Sequence, residues 1–180
     1  MKETELKILN IHKEEIIKQI ESLGAKNMGE FFIIEEHFDF EDGRIKKRDE
    51  LLRIRTVNEK AELCYKKKIV EDTEFKVREE IETEIENIES LKKIFSELGL
   101  SPFVHREKKR TSFSLNSVRI EIDKYPSIPA YMEIEGSEED IRDTLKKLNI
   151  SMEQTTSMSA TAVLKHCGVD PKIQKFDYVS

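Results

Sequence analysis

The chain has no tryptophan, only two cysteines and four histidines, and no apolar run long enough to span a bilayer. Each shortage removes a class of protein. Cys64 and Cys167 carry no metal-ligand spacing and read as ordinary buried or partly buried thiols. His12, His37, His105 and His166 form no paired motif, so no zinc site is expected. No signal peptide is visible, which with the free thiols points to a reduced, cytoplasmic setting and to no membrane partner. A basic excess is also missing. The net charge of −6 and pI near 5.4 argue against a protein that coats nucleic-acid phosphates.

What remains is a charge-rich but globular composition, 38% charged and 37% hydrophobic over 180 residues. That length predicts one domain, residues 1–170, followed by a tail at 171–180 that frays. A homodimer is left open.

Periodicity predicts a strand at 2–9, then a helix at 12–23 capped by Asn10 and ended by Gly24. A strand follows at 30–40, and the polar stretch 46–50 reads as a solvated loop. Strands at 51–56 and 61–69 form a hairpin, and 73–86 alternates over a long run. After a helix at 90–98, a second hairpin joins 103–115 to 118–124, and 130–135 is a short strand. Helices after Ser137 and over 156–166 complete an α+β order with a mainly antiparallel sheet. The strands carry too few apolar residues for a sandwich with two dry faces. One sheet face must therefore be polar.

That polar face carries a repeated pattern. In the first strand the period of two puts Glu3, Glu5 and Lys7 on one face and Thr4, Leu6 and Ile8 on the other. Arg53 and Arg55, Arg78, Glu80 and Glu82, Lys108 and Arg110, and Glu133 and Glu135 repeat the spacing on later strands. Any one row alone is an ordinary half-exposed strand, and Lys66-Lys67-Lys68 alone is a guarded sheet edge. Together, carboxylates on two strands offer hard oxygen ligands for Mg²⁺ or Mn²⁺, and the Arg and Lys rows offer charge-assisted donors for phosphate oxygens. Metal plus cation rows indicates a polyphosphate ligand.

Glu3-x-Glu5-x-Lys7, Leu52-Arg53-Ile54-Arg55, Arg78-x-Glu80-x-Glu82, Lys108-x-Arg110 and Glu133-Ile134-Glu135, in that order, resemble the CYTH superfamily of triphosphate tunnel metalloenzymes. That superfamily includes class IV adenylate cyclases and thiamine, inorganic and RNA triphosphatases. The resemblance spans about residues 1–165 and implies a closed, mainly antiparallel eight-stranded β-barrel with flanking helices, whose lumen holds a small-molecule triphosphate: ATP, tripolyphosphate or thiamine triphosphate. It implies metal ligation by Glu3, Glu5, Glu133 and Glu135, with Asp123, Glu80 and Glu82 as further candidates. Phosphate binding is implied for Arg53, Arg55, Lys66, Arg78, Lys108 and Arg110, and a catalytic, positioning role for Lys7. Arg119 and Glu121 share the parity of Asp123 and face inward with it. Two passages depart from the family pattern. Tyr125 to Ala130 stands in place of a Leu-Gly pair, and His37-Phe38-Asp39 in place of Tyr-Phe-Asp. Both bear on the tunnel mouth and hence on substrate identity.

The same clamp serves two reactions, hydrolysis of the terminal phosphoanhydride and cyclisation of ATP with loss of pyrophosphate. Hydrolysis is the preferred expectation, with cyclisation second. A non-catalytic polyphosphate- or nucleotide-binding module and a purely structural domain are the remaining alternatives.

Overall fold

The computed structural model describes residues 2–69 and 74–177. Residue 73, at the start of the alternating run, and the last three residues of the tail lie outside them. The chain runs β1 (Lys2–Ile8), α1 (Lys13–Ser22), β2 (Lys26–Phe40), α2 (Arg44–Lys47), β3 (Glu50–Val57), β4 (Lys60–Lys68) and β5 (Lys76–Ile85). It continues through α3 (Ile88–Glu97), β6 (Leu100–Leu115), β7 (Val118–Lys124), β8 (Tyr131–Glu135), α4 (Glu138–Lys147), β9 (Thr155–Thr156), α5 (Ala160–His166) and β10 (Ile173–Gln174).

Strands pair in the order β6-β2-β3-β4-β5-β1-β8-β7, and β7 pairs back onto β6, so eight antiparallel strands close into a barrel. Closure leaves one face of every strand looking into the lumen and the other outward. The apolar residues of β1, β6, β7 and β8 are on the outside. Leu6, Ile8, Phe113, Ile120 and Ile134 pack there against Ile16 and Ile20 of α1 and Ile141 and Leu145 of α4. Burying each such side chain contributes on the order of 1.5–3 kcal/mol. The outer layer therefore supplies the hydrophobic core, and the polar rows are left facing inward. A second cluster joins Phe38, Ile54 and Leu100 to Phe95 of α3, and a third joins Tyr125, Ile128 and Tyr131 to Val163 and Leu164 of α5.

Several local expectations shift, each for a tertiary reason. The stretch expected as a loop forms the short helix α2, because both Asp39 carboxylate oxygens accept from the Ile45 and Lys46 backbone N–H groups at 3.0 Å and Ile45 is buried in the second cluster. A cap six residues away in sequence is invisible to local pattern. Asn10 takes φ 54° in the turn before α1, and His12 occupies the N-cap without a side-chain bond. The last helix starts later, at Ala160, where Ser159 accepts from Ala162 N–H. The segment after Asp170 does not fray as far as it is described. Its β10 adds in parallel to β6, His105 N–H donates to Lys172 O at 2.8 Å, and Phe176 N–H donates to Glu107 at 2.9 Å.

Gly136 ends β8 against β7. A Cβ there would meet Val118 Cγ1 at 2.8 Å, so only glycine lets the strand end lie this close.

Candidate functional site

The barrel interior holds a cavity of about 510 Å³ whose wall is a continuous chain of ion pairs. Starting on β1, Lys7 pairs with Glu5 of its own strand and, at 3.1 Å, with Glu133 Oε1 of β8. Glu5 Oε1 also accepts from Lys76 Nζ of β5 at 2.6 Å. Glu133 Oε2 accepts from Arg110 Nη2 of β6 at 2.9 Å, and Arg110 grips Asp123 of β7 through two bonds of 2.6 Å. Lys108 Nζ donates to Asp123 Oδ2 at 2.8 Å and stands 3.8 Å from Glu35 of β2. Arg53 of β3 donates to Glu35 Oε1 at 3.0 Å and lies 3.8 Å from Glu80 of β5. Lys66 of β4 bridges Glu80 and Glu3 at 2.8 Å each, which returns the chain to β1. Every one of the eight barrel strands contributes.

Burial makes these pairings obligatory. Lys7 is 1% exposed and Asp123 0% exposed, and a lone charge at either depth would carry a large desolvation penalty. Burial pulls Lys7 toward neutrality, but Glu133 and Glu5 outweigh it and hold its pKa above the ordinary lysine value. Likewise burial pushes Glu133 up, yet Lys7, Arg110 and Lys108 hold it well below the usual carboxylate range. Burial also opposes ionisation of Glu35, and Lys108 and Arg53 prevail. Lys7 is therefore an ammonium and not a resting base.

The structure brings together Glu3, Glu5, Lys7, Arg53, Lys66, Glu80, Lys108, Arg110, Asp123 and Glu133 in that one chain. Asp123 is enclosed by Lys108, Arg110 and the Tyr131 hydroxyl, which donates at 3.3 Å, so both its oxygens are engaged. Other predicted residues sit at the rim. Arg55 pairs with Glu62 and, at 3.0 Å, with Glu82, and Arg78 donates to the Asp49 backbone and side chain at 2.9 Å. Arg119 is about half exposed, and Glu121 is buried against Arg110. Donor atoms of Cys64, Glu80 and Glu82 lie within 4.8 Å of one another. Burial pushes the Cys64 thiol up to about 12, and it donates to Glu80 at 3.0 Å. That cluster is a protonated sulfur beside acids already held by cations.

The seam of β1, β7 and β8 offers carboxylates without a thiol. Glu5 faces Glu135 across one ladder, and Glu121 faces Glu133 across the next. Glu135 meets only Arg119, at 3.8 Å, among the described residues. Burial and the Glu3, Glu121 and Glu5 carboxylates raise its pKa to about 7 despite Arg119. The side-chain donors offered here are carboxylate oxygens, the type that suits Mg²⁺ or Mn²⁺. Glu3 is held by Lys66, and Glu5 and Glu133 by Lys7, Lys76 and Arg110, so an ion at Glu3, Glu5, Glu133 and Glu135 would displace part of that pairing.

Three lumen residues were missed by the sequence reading: Glu35, Lys76 and Arg106. Two of them have the inward parity of a recognised row, Lys76 two residues before Arg78 and Arg106 two before Lys108. Extending the period of two by one step would have found those two. Glu35 follows inward-facing Phe31 and Ile33, and no charged row marked it. Arg106 is 2% exposed and anchors the C-terminal segment, with Nε donating to Pro171 O at 2.6 Å and Nη2 to Thr161 Oγ1 at 2.8 Å.

The family model described as the CYTH domain matches the sequence of this chain over residues 1–162. The chain belongs to the CYTH family. A protein of Methanocaldococcus jannaschii named "Putative adenylate cyclase" is 31% identical over 153 residues, 85% of this CYTH chain and 87% of the relative. Among solved structures, one from Pyrococcus horikoshii superposes with a TM-score of 0.74 at 24% identity, covering 87% of this chain and 96% of that one. A Hippeastrum protein, described as a "putative adenylyl cyclase" with a dominant triphosphatase activity, superposes with a TM-score of 0.67 at 16% identity, covering 94% and 97%. These two likenesses speak for the fold. No helix among the described residues of the CYTH chain is long and apolar enough to cross a membrane.

Proposed function

We propose that this CYTH protein is a divalent-metal-dependent triphosphatase that hydrolyses the terminal phosphoanhydride of an inorganic or organic triphosphate. The observation that carries the reading is a mismatch between donors and acceptors inside the lumen. Arg53 Nε and Nη2 and Arg55 Nε are buried and make no hydrogen bond among the described residues, whereas Glu135, crowded by Glu3, Glu121 and Glu5 at the β1–β8 seam, comes no nearer than 3.8 Å to Arg119. Buried guanidinium donors call for anionic oxygens, and crowded carboxylates call for a cation. A metal-bound triphosphate answers both.

In this reading Arg53, Lys66, Lys108 and Arg110 exchange part of their carboxylate pairing for phosphate oxygens, with Arg55 and Arg78 at the rim. Glu3, Glu5, Glu133 and Glu135 hold Mg²⁺ or Mn²⁺, which when bound neutralises charge on the phosphate oxygens. Lys7, kept as an ammonium, donates to an oxygen of the terminal phosphoryl group or to the incoming water and stabilises charge that develops during transfer. Asp123, enclosed by Lys108 and Arg110, orients those two cations. Water adds to the terminal phosphorus, the bridging P–O bond breaks, and diphosphate, orthophosphate and a proton leave.

Cyclisation of ATP is the second reading, supported by the name of the M. jannaschii relative and by apolar Leu51, Leu52 and Phe103 lining the cavity beside His37, where a nucleoside could lie. There the ribose 3′-hydroxyl attacks the α-phosphorus and pyrophosphate leaves. Product analysis after incubation with Mg²⁺ or Mn²⁺ and, separately, ATP, tripolyphosphate and thiamine triphosphate tests both. Orthophosphate is the expected product; cyclic AMP with pyrophosphate would replace hydrolysis by the second reading. Binding of tripolyphosphate with no product from any substrate would make the protein a binding module.

A further inference from the structure

A second cavity, of about 490 Å³, opens at the end of the barrel that carries the β6–β7 turn. Phe31, Ser112, Ser114, Arg119, Glu121 and Glu135 line it. All six have inward parity: Phe31 faces Arg110 across the β2–β6 ladder, Ser112 faces Glu121, Ser114 faces Arg119, and Arg119 faces Glu135. Arg119, Glu121 and Glu135 also line the main cavity, so the two spaces meet at these side chains. The opposite end of the lumen is framed by Ala160 of α5 and by Pro171 and Lys172, which line the main cavity alone. The barrel thus opens at both ends, with Arg119, Glu121 and Glu135 standing between the vestibule and the main cavity.

The electrostatics of the two ends differ. The vestibule presents seryl hydroxyls, the half-exposed Arg119 and two carboxylates, Glu121 held by Arg110 and Glu135 at 3.8 Å from Arg119, so its charges are near balance and no lysine lines it among the described residues. The other mouth presents the exposed Lys46, Lys165 and Lys172, with Arg106 buried behind them. Its acids are engaged: Asp39 caps α2, Asp49 holds Arg78, Glu50 pairs with Arg48 at 2.8 Å, and Asp170 accepts from Lys172 N–H at 2.8 Å. A cleft lined by one sign concentrates ions of the opposite sign and raises their association rates by about 10–10³. A polyanion is drawn to the far mouth and finds no row of cations at the vestibule. A hydrated divalent cation is repelled by the lysines of the far mouth and meets no such row at the vestibule, where hydroxyl and carboxylate oxygens are the partners it exchanges water for most readily. Glu135 belongs both to the vestibule wall and to the acid cluster at the β1–β8 seam.

We propose that the vestibule is the entry route for the divalent cation, separate from the mouth that admits the triphosphate. The proposal rests on the metal-dependent reading above. Its consequence is that metal exchanges while a triphosphate occupies the tunnel, with no obligatory order of binding.

Ser114 is exposed and outside the ion-pair chain, so it can be changed without touching the proposed site. Ser114→Trp obstructs the vestibule, and Ser114→Lys adds positive charge without bulk. Rapid-mixing electron paramagnetic resonance follows the loss of free Mn²⁺, and ³¹P line broadening follows tripolyphosphate exchange in EDTA. Both variants are expected to slow Mn²⁺ association by about tenfold or more, with tripolyphosphate exchange within about twofold of wild type. The Ser114→Lys effect should shrink as salt is raised. Lys172→Trp should slow tripolyphosphate and spare Mn²⁺. Unchanged Mn²⁺ rates in both Ser114 variants, in a wild type that binds both ligands, would overturn the route alone. A wild type that binds neither Mn²⁺ nor tripolyphosphate would overturn the functional reading and the route with it.

Discussion

Lys7 Nζ lies 3.1 Å from Glu133 Oε1 on the neighbouring strand, and the two residues are cross-strand partners in the β1–β8 ladder. Lys7 also pairs with Glu5, so one buried ammonium separates two carboxylates that would otherwise repel. Removing it leaves Glu5 to Lys76 and Glu133 to Arg110, with no cation between the two acids. Lys7→Met is expected to destabilise the metal-free protein by about 3–5 kcal/mol, read as a lower urea midpoint. Added Mn²⁺ should recover part of that loss, because the cation replaces the missing charge. Turnover should fall further than Mn²⁺ affinity. Because the acids hold Lys7 charged, the wild-type pH–rate profile should show no rise through pH 9–10 that Lys7→Met abolishes; such a rise would show a deprotonated Lys7 at work.

Glu35 provides the pH test. Its folded pKa lies well below the ordinary value, because Lys108 and Arg53 outweigh its burial. A carboxylate whose pKa is depressed on folding contributes stability at pH above its unfolded value, about 4.3, and loses it as pH falls through the folded value. Thermal melts of wild type and Glu35→Gln should therefore differ most at neutral pH, with wild type the more stable. The gap should narrow progressively below about pH 4. A gap that is constant down to pH 2 would mean that the charge of Glu35 is not what matters.

Glu135 should behave in the opposite sense to Lys7. It sits among like charges with Arg119 as its distant partner, so its ionised form strains the metal-free barrel. Glu135→Gln is expected to raise the metal-free melting temperature at pH 8 by about 2–4 °C, the equivalent of roughly 1 kcal/mol in a chain of this size. The same change should weaken Mn²⁺ binding about tenfold or more, as expected for loss of a ligand carboxylate. Titration calorimetry separates the two effects, and equal Mn²⁺ affinity would remove Glu135 from the metal set.

Arg106 ties the C-terminal segment to the barrel through Pro171 O and Thr161 Oγ1. Arg106→Gln removes charge-assisted bonds of about 1.5–3 kcal/mol each. Hydrogen exchange at residues 171–176 should accelerate by about tenfold or more, while exchange in β1 and β8 stays near wild type. If residues 171–176 keep their protection, packing of Phe176 against Phe32 and Lys109 holds the segment without the arginine.

The parity of the charged rows was readable from sequence because side-chain direction in a strand depends on position alone. Glu3, Glu5 and Lys7 had to share a face whatever β1 paired with, and the same holds for Lys108 with Arg110 and for Glu133 with Glu135. The need for a polar face followed from the apolar rows being too few to dry both sides. Local sequence also marked some helix ends, such as Ser137, which accepts from Asp140 N–H, and Gly24 with φ 85° just after α1.

Which row meets which was decided by tertiary structure. Glu35 joins Arg53 across 18 residues of sequence and Lys66 joins Glu3 across 63, distances set by strand register and barrel closure, to which no local pattern is sensitive. The same closure engages both oxygens of Asp123 with Lys108 and Arg110 while leaving Glu135 short of cations, although both are simply inward-facing acids in the sequence. Asp39 caps α2, and Arg106 draws the C-terminal segment onto the barrel, only after β2 and β6 are in place. Sequence alone determined the direction and chemistry of each side chain, because both are local; the neighbours that set its charge state and its freedom to bind a ligand depend on long-range pairing, and only the folded barrel supplied them.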